Sequence, residues 1–158
     1  MKTLIESFHC RFDALHRQTI EFVQIVPDEL LFKYPRETKQ SFVPFSVGEY
    51  ILRSAGQVEQ TFGGITTRLW DDPFEWTLPE ELLTTNKILA YLAEVEITRR
   101  KGFAFFISDE DLKREIPAPE KLKSIFDILL ETICRAEHFQ GRAVAVFQML
   151  SDKKLPRV

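Results

Sequence analysis

The stretch Ser124–Leu150, SIFDILLETICRAEHFQGRAVAVFQML, decides the fold. Apolar side chains recur at Ile125, Leu129, Ala136, Phe139, Ala143, Val146 and Leu150, with Thr132 as the polar step in the row. Steps of three and four residues put one face of an α-helix toward a core. Ser124 followed three residues on by Asp127 resembles a capping box, with the acid favourably placed in the first turn. One flank carries Cys134 and His138, a helical turn apart and therefore stacked, with Glu137 beside them.

Working outward, the same periodicity predicts three more helices. Residues 3–26 carry the stripe Leu4, Phe8, Phe12, Leu15, Phe22 and Val26, with Thr19 as its polar step, and Pro27-Asp28 ends it. The next helix opens at Ser46, whose partner Glu49 completes an S-x-x-E capping box, with Phe45 and Tyr50 as a hydrophobic staple. Its buried stripe runs Val47, Ile51, Ala55, Val58, Phe62, Ile65 and Leu69, and Ser54 lies beside it. Gly63-Gly64 weakens this helix near its end or permits close contact with a neighbour. A further helix starts at Asn86 or a preceding Thr and runs through Ile88, Leu92, Val95, Arg99, Phe103 and Phe106.

Between the helices lie long connections. Residues 27–45 hold Pro27, Pro35 and Pro44, with a helical turn expected at Glu29–Phe32. Residues 70–84 are rich in aromatic and acidic side chains, and Trp70, Phe74 and Trp76 are expected to cap one end of the core. Pro117 and Pro119 mark the third connection. No strand alternation and no internal repeat is visible. The fold expected is all-α, a single domain over residues 1–158 forming an antiparallel four-helix bundle with long connections.

Composition narrows function by exclusion. A net charge of -3, with Arg99-Arg100-Lys101 as the densest basic cluster and read as a solvated helix face, speaks against a nucleic-acid partner. No apolar run approaches the roughly 18–20 residues of a membrane span, and no secretory leader is read at residues 1–26. The two cysteines, Cys10 and Cys134, make no disulfide framework, so a cytoplasmic protein is expected. His9 and His16 share a side of the first helix, but two turns are about 10.5 Å, too far for one ion.

Glycine-rich phosphate loops, G-x-S-x-G, H-E-x-x-H and C-x-x-C motifs are all missing. The order of helices, the segment Pro44-Phe45-Ser46-Val47-Gly48-Glu49-Tyr50-Ile51-Leu52 and the segment Cys134-Arg135-Ala136-Glu137-His138-Phe139-Gln140-Gly141 resemble the DinB/YfiT-like family. The resemblance implies a four-helix bundle that forms homodimers, with a three-His site for zinc, nickel or iron. One of those His belongs to the second helix and two, four residues apart, to the fourth. Carried over, the three positions fall on Ser54, Cys134 and His138, and a shifted alignment puts Gln57 in place of Ser54. A single His of the three is present.

Several readings of these residues stand side by side. A thiolate and an imidazole hold a soft or borderline ion, but a Ser hydroxyl is a poor third ligand. Alternatively Cys134 is a nucleophile with His138 as its base, or Cys134 is a small buried hydrophobe and His138 a hydrogen-bonded histidine at the core edge. The resemblance accordingly implies one of two things. One is a divergent bundle with an eroded divalent-metal site, binding a small molecule or partner in a pocket near Gln57 and Glu137. The other is a metal-dependent hydrolase or thiol transferase working between the second and fourth helices.

Overall fold

The computed structural model describes residues 1–35, 45–73 and 79–155 and is mostly helical. Four long helices, α1 (Thr3–Ile25), α3 (Val47–Thr67), α4 (Thr85–Phe103) and α5 (Ile125–Leu150), share one hydrophobic core. A short α2 (Asp28–Leu31) falls where a helical turn is expected in the first connection. The most extensive contact is between α3 and α5; α3 also packs on α4, and α1 packs on α4 and, less closely, on α5. The pairs Ser54–Ala136 and Thr61–Thr132 show that α3 and α5 run antiparallel. Phe12, Phe62 and Phe103 meet edge-on or tilted, with centroids 5.1–5.9 Å apart, and join α1, α3 and α4.

Local chemistry sets several of the boundaries. Ser46 and Glu49 form the capping box, Ser46 N donating to Glu49 Oε2 at 2.8 Å and Glu49 N to Ser46 Oγ at 3.3 Å. Phe45 and Tyr50 stack edge-on at 5.3 Å, as a staple requires. Ser124 caps α5 by accepting from Asp127 N at 3.0 Å, while Asp127 Oδ2 accepts from the Ser124 hydroxyl and not from its backbone. That makes a single N-cap bond in place of the expected box.

Other boundaries are set from a distance. Asp109 Oδ1 accepts from Leu4 N and Ile5 N at 3.1 Å each, so a carboxylate far along the chain caps α1. Asp28 likewise accepts from Thr85 N at 2.9 Å, beside the Thr84 cap of α4. The expected stripes change at their ends: α3 stops at Thr67 and Leu69 is exposed, α4 stops at Phe103, and Ile5 takes the buried place expected of Leu4.

The third connection corrects the expectation of no strands. β1 (Glu115–Pro117) and β2 (Leu122–Ser124) pair antiparallel, with Ile116 opposite Lys123. Three-residue strands are too short to display a period of two, and Pro117 ends the first, so periodicity is silent here. Phe74, Trp76 and Pro44 lie outside the described residues. Trp70 is described: its ring lies where a Cβ on Gly64 would stand, and its Nε1 donates to Pro117 O at 3.0 Å. The glycine therefore serves close contact, which ties α3 to the hairpin.

Candidate functional site

The residues carried over by resemblance are divided by burial. Ser54 is 2% exposed, and its hydroxyl donates to Ala136 O at 2.7 Å, a bond that joins α3 to α5. Cys134 and His138 lie on the solvent side of α5. The buried-hydrophobe reading of Cys134 is thereby corrected: helical phase turns Ile133 and Ala136 inward and Cys134 outward. His138 is not a core-edge histidine either; its Nε2 accepts from Arg142 Nε at 2.8 Å, so the lone pair is directed at a cation. Glu137 pairs with Arg11 at 2.6 Å and fastens α1 to α5 at the surface. Among the described residues no group of three or more His, Cys, Asp and Glu side chains could hold a metal ion. The residues at the family's three positions therefore do not fit a three-ligand metal centre.

Gln57 leads to a different place. It lines a cleft of about 110 Å³ on the outer side of the α3–α5 contact, one turn from Ser54. The α3 wall is Gln57, Gln60 and Thr61; the α5 wall carries Glu131, Thr132 and Arg135; Trp70 and the hairpin turn at Pro119 complete it. Gln60 Nε2 donates to Trp70 O at 3.2 Å and to Asp72 Oδ1 at 3.3 Å, holding the tryptophan as a fixed wall. Lys123 and Glu131 are paired at 2.6 Å, so their charges cancel locally.

The floor has a defined polarity. Thr132 Oγ1 donates to Ile128 O at 2.7 Å, which uses its one proton. The 2.6 Å contact between Thr61 and Thr132 must then be donated by Thr61. Both hydroxyl protons are spent, and what remains at Thr61 is an acceptor. Gln57, Arg135 and Glu120 have no hydrogen-bond or ion-pair partner for their side chains among the described residues, so the cleft offers a free amide, a free cation and, on the hairpin turn, a free carboxylate.

A second polar cluster lies between α1 and α4. Arg99 is 1% exposed, and its guanidinium is held in bidentate fashion by Glu96, Nε to Oε2 at 2.8 Å and Nη2 to Oε1 at 2.6 Å. Arg100 Nε reaches the same Oε1 at 2.6 Å, and Asp13 Oδ1 stands 3.7 Å from Arg99 Nη2. Burial pushes the Glu96 carboxyl upward, but the hydrogen bonds from Arg99 and Arg100 and the nearby positive charges outweigh it and leave it below the ordinary carboxylate range. His9 and His16 are lowered, chiefly by burial, with Arg99 opposing their protonation and Glu96 and Asp13 favouring it. A space of only about 30 Å³ adjoins this cluster between His16, Thr19 and Ser54, room for about one water.

Sequence reasoning reached Gln57 but missed Thr61, Lys123, Glu131 and Arg135. One signal was present: Thr132 interrupts the apolar row of α5, and Thr61 is a second polar side chain buried on α3. Two polar steps facing one another across a contact mark a place where hydrogen bonding replaces packing.

Compared with known proteins, the chain matches no family model, no curated protein and no solved structure. No helix among the described residues is long and apolar enough to cross a membrane.

Proposed function

We propose that this protein is a small-ligand-binding module, a DinB/YfiT-like antiparallel four-helix bundle without the family's three-His metal set, and that the α3–α5 cleft is its binding site. The single observation behind this reading is unspent hydrogen-bonding capacity: Gln57 and Arg135 face a cleft with no side-chain partner among the described residues. Polar groups elsewhere in the contact are satisfied, as at Ser54 and Thr132. A cleft of about 110 Å³ is below the ~300–1,000 Å³ of drug-sized pockets. It suits a compound of on the order of six to ten non-hydrogen atoms.

The bundle is taken to act as a homodimer. Leu4, Phe126 and Leu130 are exposed along the α1–α5 edge, where Phe8 and Phe126 meet at 5.4 Å, an apolar strip of the kind that association covers. Light scattering of the purified chain reads the assembly directly.

The decisive experiment is a titration of the isotopically labelled chain with a panel of small acids, amines and amides, followed by the amide spectrum. Movement of the Gln57 and Gln60 side-chain amides and the Trp70 indole is expected for at least one class. A panel that leaves all three still would remove the reading. Elemental analysis runs alongside. Near-stoichiometric zinc, nickel or iron that is lost in His138→Ala would replace it with the metal-dependent hydrolase or thiol transferase.

A further inference from the structure

From the polarity of the same cleft we infer that its ligand is a small carboxylic acid bearing a hydroxyl or amino donor on the neighbouring carbon. The inference rests on the cleft being the binding site and adds the class of molecule. Two groups and one dimension carry it. Arg135 supplies the cation, and a planar guanidinium whose N–H groups have no partner among the described residues matches a carboxylate in bidentate fashion. Thr61 contributes the opposite requirement, because its proton is donated to Thr132 and Thr132's to Ile128 O. The floor therefore accepts and does not donate. A ligand atom against Thr61 must bring its own hydrogen, or two oxygens meet without a proton between them.

Glu120, a carboxylate on the hairpin turn with no partner among the described residues, suits the donor end of such a molecule and turns the acid end toward Arg135. Gln57, whose amide both donates and accepts, stands on the α3 wall and suits either end of such a molecule. Lys123 is already neutralised by Glu131 at 2.6 Å and does not compete with Arg135 for the carboxylate. The Trp70 ring, fixed by Gly64 behind it and Pro117 O at its nitrogen, is a rigid apolar wall for a short carbon skeleton. The space of about 110 Å³ limits the size: a short-chain acid fits, whereas a nucleotide exceeds it.

The test uses the full chain and four probes of similar size: L-lactate, L-alanine, propionate and propionamide. Dissociation constants are read from the Trp70 indole and Gln57 side-chain signals. Lactate, alanine or both are expected to bind about tenfold more tightly than propionate, the worth of one good hydrogen bond. Which of the two is tighter tells a hydroxy acid from an amino acid. Arg135→Gln, at an exposed position, is expected to weaken all three acids by about tenfold or more and propionamide by much less, since only the acids lose a charge-assisted bond. Thr61→Val is expected to reduce lactate and alanine to the level of propionate, with Thr61→Ser as the folded control that retains their advantage.

Equal binding of propionate, lactate and alanine would overturn the inference, as would acids indifferent to Arg135→Gln. If only propionamide or simple amines moved the cleft signals, the ligand class would be wrong and the binding site right. Stillness with every probe in the wider panel would remove both.

Discussion

The α1–α4 seam and the α3–α5 cleft are both polar interruptions of an apolar core, and they treat their charges in opposite ways. In the seam Arg99 is buried, and its charge is answered by Glu96, with Asp13 close by and the carbonyl of His9 at 3.5 Å. In the cleft Arg135 is exposed and answered by no side chain among the described residues. A saturated cluster holds elements together and leaves no valence for a visitor. An unsaturated one contributes little to stability and keeps its hydrogen bonds for a ligand. Burial alone would have ranked the seam first as a functional site; accounting for donors and acceptors reverses the order.

The largest expected effect breaks the seam. Arg99→Met leaves the Glu96 carboxylate half-buried with only Arg100 for a partner, and a cost of about 3–5 kcal/mol is expected in denaturant unfolding. Adding Glu96→Leu to the same chain is expected to recover much of that loss, because no uncompensated charge then remains. A single variant costing under about 1 kcal/mol would mean that the seam is not structural, and the comparison fails.

Next comes Thr61→Val, which touches both functions of the cleft floor. It removes the proton donated to Thr132 Oγ1 but leaves Thr132 bonded to Ile128 O, so about 1–2 kcal/mol is expected in the same assay. A loss as large as that of Arg99→Met would make the floor a structural element first.

Acidification separates the seam in stages. His9 and His16 have folded-state values lowered from 6.5, so their contribution is present above the unfolded value and is lost as pH falls below it. Glu96, lowered from 4.5, contributes in the same sense, and its share is lost at still lower pH. Thermal melts from pH 7.5 downward should show a first decline starting near 6.5 and a steeper one below about 4.5. His9→Gln and His16→Gln together should flatten the first and leave the second in place; an unchanged first decline would assign it elsewhere.

The smallest effects belong to the cleft rim. Gln57→Ala and Arg135→Gln are expected to change stability by less than about 0.5 kcal/mol, since neither side chain has a partner to lose among the described residues. A destabilisation above about 1 kcal/mol in either would show that the groups read as free are in use, and would blunt the contrast with the seam.

Much of the helical skeleton was legible because its causes are local. A stripe such as Val47, Ile51, Ala55, Val58, Phe62 and Ile65 states its helix by spacing, and Ser46 with Glu49 states where it begins. The site was legible only in part. Thr132 stood out as a polar step and Gln57 entered only through the family resemblance, and no spacing rule shows which polar side chain faces another helix and which faces water. Cys134 illustrates the limit: four residues from His138 on a helix flank, it invites a chemical reading, but the phase of α5 in the core turns both to solvent.

What the sequence by itself determined is therefore the set of long helices and several of their starts, through interactions that span no more than four or five residues. The tertiary structure decided the rest. It brought Asp109 to the start of α1 and Asp28 to the start of α4, paired two strands too short to declare themselves, and set Trp70 against Gly64. It also decided which arginine is spent and which has no partner among the described residues, because that depends on the acceptors that packing places within hydrogen-bond reach, and no local pattern carries that information.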